Sequence, residues 1–428
     1  MRLLFVTQGR FWNWDNASRL RAKSVIEALV SERHKVEVFC LGALSAIDQQ
    51  NFAKNISGII TLHGVEPDVS MKRSTREILW LFNLMPAVEF VRHVFGQLIK
   101  RVIPARVLNS LPARPIWLFN CLRCILDTSP FAGASSQIDR AFVAAIDRFK
   151  PDGVYIRCLD AAWVGRTCAQ NHIPSVIDAQ DVVYLRRDSL IKGGLTNNIY
   201  ANRKLEHDLL SVSRAVFSIQ LEDVQIFREM LPKVHVVHVG QAFVTHRCSR
   251  SSTQELVFGF LASEGPPNRA ALDELLNSIW PHIRSGSKCP VRLIVAGRIS
   301  DFVGSPVMGV NVLGVVDDVR DFYDRVDVVL STMRYGGGLK FKTVEALAHG
   351  KAVIATQCGA QGLADHVGAA LLRAETTEAI VQRAILLTAN RELVAIHKEC
   401  AFKIAQAHFS ADSVYRPMLN AISKLQDR

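Results

Sequence analysis

The stretch Tyr335–Leu363 constrains the fold more than any other, because its glycines separate apolar segments of different periodicity. It follows an apolar, β-branched run at residues 326–331 that is typical of a buried strand. Three glycines, Gly336–Gly338, precede a segment with helical spacing of apolar residues, and Gly350 ends that segment before a second apolar strand, Ala352–Thr356. The pattern predicts a βαβ unit whose loop presents backbone N–H groups at a helix N-terminus, an arrangement that suits a phosphate.

Lys342 and Glu345 lie three residues apart in the predicted helix and therefore share one of its faces near the glycines. An ammonium at this place can neutralise a diphosphate, and a carboxylate one turn further can accept hydrogen bonds from adjacent sugar hydroxyls. The two side chains can equally form a surface ion pair that stabilises the helix by about 0.2–0.5 kcal/mol. The spacing alone leaves both interpretations open.

This stretch resembles the donor-binding signature of glycosyltransferase family 4, the group 1 glycosyltransferases, in the branch with a GxGxxxKxxEAxAxGxPVVxT…GxxGL pattern. The matching positions are Gly336, Gly338, Lys342, Glu345, Ala346, Ala348, Gly350, Val353, Thr356, Gly359, Gly362 and Leu363. The resemblance implies a GT-B fold, an α/β architecture of two Rossmann-like domains that face each other across a cleft. It also implies transfer of a sugar from a nucleotide-sugar donor with retention of the anomeric configuration, and makes Lys342 and Glu345 catalytic candidates.

Composition limits the class of protein and its partners. A chain of 428 residues with 49% hydrophobic and 21% charged side chains is typical of a folded protein of two or three domains. The net charge of +11 favours anionic partners such as nucleotides and acidic lipid headgroups, whereas no basic, aromatic-interleaved module indicates binding to nucleic acid. Nine cysteines, an odd number, and an opening without a signal-peptide pattern predict a cytoplasmic location.

Residues 71–126 interleave basic and apolar side chains and predict a helical insertion in the first domain. Their longest uncharged apolar stretch, Ile78–Val88, has 11 residues and contains a proline, whereas a helix that spans a bilayer needs roughly 20. The insertion either packs on its own domain or lies on an anionic membrane surface, where each cation contributes about 1 kcal/mol. The second alternative predicts a peripheral protein on the inner face of the membrane.

The chain opens with an apolar strand, Leu3–Thr7, followed by a polar loop and a helix that begins near residue 18. No GxGxxG motif follows the strand, which argues against an enzyme that binds a nicotinamide or flavin dinucleotide. By resemblance, the loop faces the acceptor side of the cleft, where Gly9, Arg10 and Arg19 are candidate contacts. Each arginine is explained equally well as a solvated surface residue.

Asp178, Gln180 and Asp181 follow the predicted strand at residues 174–177, at the edge of the sheet where α/β proteins bind ligands. Related glycosyltransferases often carry DxHD here, with the histidine facing the donor sugar, so the resemblance makes these three residues catalytic candidates. Gln180 stands at the histidine position; it can donate a hydrogen bond to a hydroxyl, but it cannot act as a base. A polar loop or a helix cap is the alternative for both aspartates.

A polar stretch at 241–254 separates the two halves and predicts domains at 1–245 and 253–405. By resemblance, the C-terminal helix at 406–428 crosses back to the first domain, and loops of the second domain approach the donor phosphates and nucleobase. The candidate donor-binding residues are Asn268, Arg269, Gly297, Arg298, Gly314, Asp317, Gly336, Gly338, Leu339 and Lys340.

No DxD triplet occurs in the sequence, so we expect no metal on the diphosphate and no other cofactor. Backbone N–H groups at residues 337–339, the helix dipole and Lys342 would stabilise the leaving diphosphate, helped by Lys340 or Arg269. Many family 4 enzymes carry E-x7-E, whose first glutamate touches the donor sugar, and Gly337 stands at that position here. Either the loop amides hold the sugar, which makes Gly337 a catalytic candidate, or catalysis is impaired.

The leading interpretation is a metal-independent glycosyltransferase with a nucleotide-sugar donor and a lipid-linked or envelope glycan as acceptor. One alternative is a non-catalytic scaffold subunit. Three features that are common in related glycosyltransferases are missing here: the first glutamate of E-x7-E, the histidine of DxHD and a glycine pair in the loop after the first strand. Another is a sugar-nucleotide 2-epimerase, which would interconvert donor sugars without an acceptor.

Overall fold

The computed structural model describes residues 1–8, 17–44, 46–56, 61–65, 136–195, 201–247, 254–363, 367 and 370–426. The predicted helical insertion at 71–126 lies outside the described residues. Helices and strands are numbered below in chain order over the described residues.

The first sheet consists of seven parallel strands in the order β3-β2-β1-β4-β5-β6-β7. They are β1 (Arg2–Thr7), β2 (Lys35–Ala43), β3 (Thr61–Val65), β4 (Gly153–Arg157), β5 (Ser175–Gln180), β6 (Ala215–Ser218) and β7 (His235–His238). Consecutive residues of β1 pack on opposite faces: Leu3 and Phe5 belong to one core cluster, and Leu4 and Val6 to another. Burial on both faces explains why this strand is apolar throughout.

Helices cover both faces of this sheet. They are α1 (Ala17–Ser31), α2 (Ala46–Asn55), α3 (Ser136–Phe149), α4 (Val164–Gln170), α5 (Val183–Lys192), α6 (Arg203–Leu210) and α7 (Leu221–Met230). The strand order reverses between β1 and β4, and open α/β sheets bind their ligands at the carboxyl ends of strands at such a point.

The second sheet has six parallel strands in the order β10-β9-β8-β11-β12-β13. They are β8 (Leu256–Leu261), β9 (Val291–Ala296), β10 (Val310–Gly314), β11 (Val328–Ser331), β12 (Ala352–Ala355) and β13 (Leu371–Arg373). The helices of this half are α8 (Pro266–Glu274), α9 (Trp280–Gly286), α10 (Arg320–Tyr323), α11 (Phe341–Ala348), α12 (Thr377–Ala389) and α13 (Arg391–His408). Its strand order reverses between β8 and β11, so the loop after β11 lies at the switch point.

The last helix, α14 (Ala411–Ser423), belongs in sequence to the second half but packs on the first sheet. Its buried residues Val414, Tyr415, Met418 and Ile422 join the core cluster that contains Leu3 and Phe5 of β1. A backbone hydrogen bond of 2.8 Å from Phe243 N to Phe409 O joins the segment that leaves the first half to the segment that returns to it before α14. The chain therefore crosses between the halves twice, and both crossings run side by side.

Among the described residues, no helix combines the length and the apolar character that crossing a bilayer requires.

Candidate functional site

The loop after β11, residues 335–340, lies against helix α5 of the first half; it is called the glycine loop below. Gly336 donates its backbone N–H to Ser189 Oγ at 3.1 Å. The ring of Tyr335 covers Gly193, where a Cβ would lie 2.6 Å from the ring. The predicted phosphate loop is therefore held by both halves of the molecule.

Two glycines of the loop are required by this contact. A Cβ on Gly337 would lie 2.7 Å from Cβ of Arg186, which is closer than real Cβ atoms approach other carbons. Gly338 has a φ of 72° and a Cβ there would lie 3.1 Å from Cβ of Asp181. Glycine allows the positive φ and the close approach at once.

We expect Gly337→Ala to lower the free energy of unfolding by about 1–3 kcal/mol, because the added methyl overpacks the contact with Arg186. Urea unfolding monitored by circular dichroism measures the change. Gly304→Ala is the matched control, because a Cβ at Gly304 meets nothing within 4 Å. Equal effects of the two substitutions would show that the loop does not pack on α5 in this way.

Lys340 points into the glycine loop and not toward the cleft. Its Nζ donates to Gly337 O at 2.9 Å, Gly338 O at 3.0 Å and Gln361 Oε1 at 3.2 Å, and the residue is buried. Burial lowers the pKa of this ammonium, although nearby acidic groups oppose the effect. Lys340 thus shapes the loop, and its predicted contact with the donor stays a prediction.

Three backbone N–H groups of the glycine loop are unpaired among the described residues. Within the described part of the chain, the N–H groups of Gly337, Gly338 and Leu339 donate no hydrogen bond. They precede helix α11, whose N-terminus has no side-chain cap. A set of unpaired amides at a helix N-terminus is suited to bind an anion.

Glu345, on α11, is held by two donors on one of its oxygens. Lys342 Nζ lies 2.7 Å from Oε2, and Tyr323 Oη donates to the same oxygen at 3.0 Å. Tyr323 in turn stacks on His349, with ring centroids 4.3 Å apart, and burial lowers the pKa of His349 to about 4. The predicted ion pair is present, and Oε1 accepts no hydrogen bond from the described residues.

The candidate residues of the first three loops of the second sheet come together at its edge. Gly297 donates its N–H to Gly314 O at 2.7 Å, and a Cβ on Gly297 would lie 2.3 Å from the carbonyl oxygen of Ala262. Asn268 is bonded to Ser263, and Asp317 is exposed just beyond β10. Gly297 and Gly314 therefore lie side by side at this edge, and the donor-binding role of the set stays a prediction.

The two arginines of this edge already have protein partners. Arg269 donates to Glu264 O at 2.7 Å and its guanidinium lies 3.7 Å from the ring centroid of Phe302. Arg298 lies 4.0 Å from the carboxylate of Glu264. Arg269 is exposed, so its cation–π contact holds its direction without removing it from solvent.

The whole architecture can be compared with known structures. It superposes on sucrose-phosphate synthase from Thermosynechococcus elongatus with a TM-score of 0.65, 11% identity and 99% of each chain covered. For Anabaena HepE in complex with UDP-glucose, the TM-score is 0.63 and the identity 13%, covering 99% of this chain and 100% of that chain. For a Staphylococcus aureus TarM mutant in complex with fondaparinux, α-GlcNAc-glycerol and UDP, the values are 0.62 and 10%, covering 98% and 99%.

The chain has the GT-B fold. This conclusion confirms the fold class that the sequence predicts. Residues 255–390 also match a family model described as glycosyl transferases group 1. No curated protein matches the chain significantly. The matched residues include the glycine loop and α11, so the family match covers the second half of the chain from β8 to α12.

In the first GT-B domain, Asp178 has a structural role. Both of its oxygens accept from Arg21, at 2.8 and 2.9 Å, and both residues are fully buried. Arg21 also donates to the carbonyls of Val239, at 3.0 Å, and Gly240, in the segment that leaves the first sheet. Because Arg21 occupies both oxygens of Asp178, this carboxylate positions α1 and, through Arg21, the interdomain segment, and its catalytic role stays a prediction.

Gln180 and Asp181 lie closer to the cleft. Gln180 has a φ of 65° and its amide donates to Cys158 Sγ at 3.2 Å. Asp181 pairs with Arg186 and lies against Gly338. Of the candidates in the first loop, Gly9 and Arg10 lie outside the described residues, and Arg19 lies in α1 with its side chain outside them.

Helix α5 is capped by two buried carboxylates that the sequence analysis did not identify. Glu206 accepts from Val183 N and Tyr184 N, each at 3.0 Å, and Asp223 accepts from Val182 N at 3.2 Å. Burial raises the pKa of Glu206 to about 7 and that of Asp223 to about 6, although the donated hydrogen bonds oppose both shifts. Because both carboxylates come from distant elements, no local capping signal predicts them.

These carboxylates predict that stability depends on pH. The pKa of Glu206 has its ordinary value of 4.5 in the unfolded chain and is raised by burial to about 7 in the folded protein. Its contribution to the free energy of unfolding is therefore complete below pH 4.5 and is lost as the pH rises toward 7, by up to about 3 kcal/mol. Urea unfolding at pH 5 and pH 7.5 should show a smaller fall for Glu206→Gln than for the wild type. An equal fall in the free energy of unfolding in both proteins would contradict the raised pKa of Glu206.

A cavity of about 530 Å³ lies between the two GT-B domains at the carboxyl ends of β11, β12 and β13. Ser189 and Glu222 line it from the first domain, and Arg334, Gly336 and Arg373 from the second. Lys342 and Glu345 do not line it, whereas the unpaired amides of the glycine loop directly precede the helix that carries both residues, so we place the candidate anion site at these amides. Among the described residues, no cluster of histidine, cysteine, aspartate or glutamate has metal-ligating geometry.

Proposed function

We propose that the chain is a glycosyltransferase of the family 4 type that moves a sugar from a nucleotide-sugar to an acceptor hydroxyl. The observation that carries the proposal is the set of free amides at Gly337–Leu339, directly before an uncapped helix that bears Lys342 and Glu345. The family match at residues 255–390 supports the same activity for this domain.

In this proposal, the amides of the glycine loop receive the diphosphate. The helix dipole adds the equivalent of about half a positive charge at the N-terminus of α11. Lys342, 41% exposed in its side chain, can turn its ammonium from Glu345 toward the diphosphate. Glu345 Oε1 remains to accept hydrogen bonds from the ribose hydroxyls, while Tyr323 keeps hold of Oε2.

The transfer step breaks the bond between the anomeric carbon and the diphosphate oxygen and forms a bond from that carbon to the acceptor oxygen. The proton of the acceptor hydroxyl passes to the leaving diphosphate, and the anomeric configuration is retained. Amides that are already oriented stabilise the negative charge that grows on the leaving group. Since the sequence has no DxD triplet, we propose that the reaction needs no divalent metal or other cofactor.

The acceptor in this proposal is a lipid-linked or envelope glycan, and the protein works in the cytoplasm with peripheral contact to an anionic membrane. Two features support it: the net charge of +11 and the basic, apolar segment at 71–126, which lies outside the described residues. Binding to vesicles with and without anionic lipid tests the membrane contact.

A transfer assay tests the function. Purified protein is incubated with UDP-, GDP-, ADP- or dTDP-sugars and a membrane extract, with and without EDTA, and the products are identified by mass spectrometry. We expect a glycosylated acceptor and a free nucleoside diphosphate, with equal yield in EDTA. Tight binding of a nucleotide-sugar without transfer or hydrolysis would favour a scaffold subunit, and conversion of the donor sugar without an acceptor would favour a 2-epimerase.

A further inference from the structure

The carboxylate of Asp181 reaches the glycine loop from the opposite domain. A Cβ on Gly338 would lie 3.3 Å from Oδ2 of Asp181, so this oxygen is in contact with the loop. The side chain is 9% exposed, and Oδ2 accepts no hydrogen bond from the described residues. A buried carboxylate oxygen without a donor is costly, which suggests that a ligand supplies the donor.

Arg186 keeps this carboxylate charged and in place. Its Nη1 donates to Oδ1 at 3.1 Å and lies 3.0 Å from Oδ2. The guanidinium is 39% exposed in its side chain, and its Cβ and Cγ lie over Gly337. Arg186 also interacts with Asp160. Burial raises the pKa of Asp160, and the charges of Arg186 and Arg157 oppose that shift.

The glycine loop offers amide donors but carries no carboxylate of its own. Residues 336–338 have no side chains, and Lys340 is bonded to their carbonyls. Glu345 lies one turn into α11, where it is held by Lys342 and Tyr323. Among the described residues in contact with the loop, Asp181 supplies the carboxylate and Arg186 the exposed cation.

We propose that Asp181, positioned by Arg186, recognises the transferred sugar by accepting a hydrogen bond from one of its hydroxyls at Oδ2. The inference rests on the proposed function, because it places the sugar beside a diphosphate bound at the loop amides. A sugar joined to that diphosphate through a single oxygen lies within reach of a group that touches Gly338. The sugar is thus read by the first domain and the nucleotide by the second.

The pairing of Asp181 with Arg186 also reduces the repulsion between the carboxylate and a bound diphosphate. An isolated carboxylate next to a diphosphate would repel it, and the interaction would be strong in a site that excludes water. Arg186 offsets that charge and, with its exposed guanidinium, can donate to a phosphate oxygen. Asp181 therefore contributes to the sugar alone, whereas Arg186 contributes to the sugar and the diphosphate together.

Calorimetry on two variants separates these contributions. The probes are UDP-, ADP-, GDP- and dTDP-glucose and the matching nucleoside diphosphates, and the best-binding pair is used. Asp181→Asn should weaken binding of the nucleotide-glucose roughly 10- to 100-fold, as expected for a hydrogen bond to a charged group, and leave the diphosphate within about 2-fold. Arg186→Gln should weaken binding of both ligands.

Matched controls lie on α5, the helix that carries Arg186 and begins two residues after Asp181. Asp188→Asn and Arg187→Gln alter a surface pair that does not touch the glycine loop, and they should bind both ligands as the wild type does. Equal losses of both ligands in Asp181→Asn, or no loss of either, would overturn the role of Asp181. If the wild type binds no nucleoside diphosphate, the proposed function fails first; if it binds and the variants do not discriminate, only this inference fails.

Discussion

Replacing Arg21 by methionine should lower the free energy of unfolding by about 3–5 kcal/mol, the usual effect of breaking a buried ion pair on one side. The substitution leaves the carboxylate of Asp178 fully buried without its partner. It also removes the donors to the carbonyls of Val239 and Gly240, where the chain leaves the first sheet. Urea unfolding monitored by far-ultraviolet circular dichroism measures the change at pH 7.

The control for this prediction is Lys23→Met, on the same helix, which breaks an exposed pair with Glu27. That variant should differ from the wild type by no more than about 1 kcal/mol, because surface pairs contribute little. A double variant, Arg21→Met with Asp178→Leu, should recover part of the loss, since the uncompensated charge is removed. If Arg21→Met and Lys23→Met unfold alike, the buried pair does not have the role assigned to it.

Glu345→Ala should weaken binding of the nucleoside diphosphate by roughly 10- to 150-fold, which corresponds to the loss of a charge-assisted hydrogen bond of about 1.5–3 kcal/mol. Lys342→Ala should weaken it to a similar degree, because the ammonium is the exposed cation on the first turn of α11. Tyr323→Phe should have a smaller effect, since Glu345 keeps the carboxylate that accepts from the ribose but loses the donor that holds Oε2. Isothermal titration calorimetry measures all three.

Glu399→Ala serves as the matched control for that series. Glu399 pairs with Lys403 at 3.5 Å on the surface of α13 and also with Arg247, so the substitution breaks exposed ion pairs away from the glycine loop. Unchanged affinity for this control and reduced affinity for Glu345→Ala support the binding role. Wild-type affinity in both Glu345→Ala and Lys342→Ala would show that the pair only stabilises the helix.

The sequence was informative where a local pattern determines the structure. Buried parallel strands are continuous apolar runs, so β11 and β12 and the helix between them could be located from residues 326–356 alone. The three glycines before the helix were also located from the sequence, and the structure adds the reason for two of them: Gly338 has a positive φ, and Gly337 lies against Arg186. The spacing of Lys342 and Glu345 predicted a shared face, and the structure shows them paired.

The sequence was uninformative where function depends on contacts between distant residues. Arg21 and Asp178 are 157 positions apart, and nothing near Asp178 indicates that a buried arginine occupies both of its oxygens. The orientation of Lys340 depends on Gln361 and on the carbonyls of the glycine loop, so the motif alone does not determine it. Arg186 had no motif at all, and its importance appears only when α5 packs on the loop.

The most direct test of the central claim is amide hydrogen–deuterium exchange over residues 335–342, with and without a saturating nucleoside diphosphate. The amides of Gly337, Gly338 and Leu339 donate no hydrogen bond within the described part of the chain, so they should exchange fast in the free protein. If the diphosphate binds there, their exchange slows on addition of ligand, and the slowing is smaller in Lys342→Ala at the same ligand concentration. Binding that leaves these amides unchanged and protects the cavity lined by Arg334 and Arg373 instead would contradict the account.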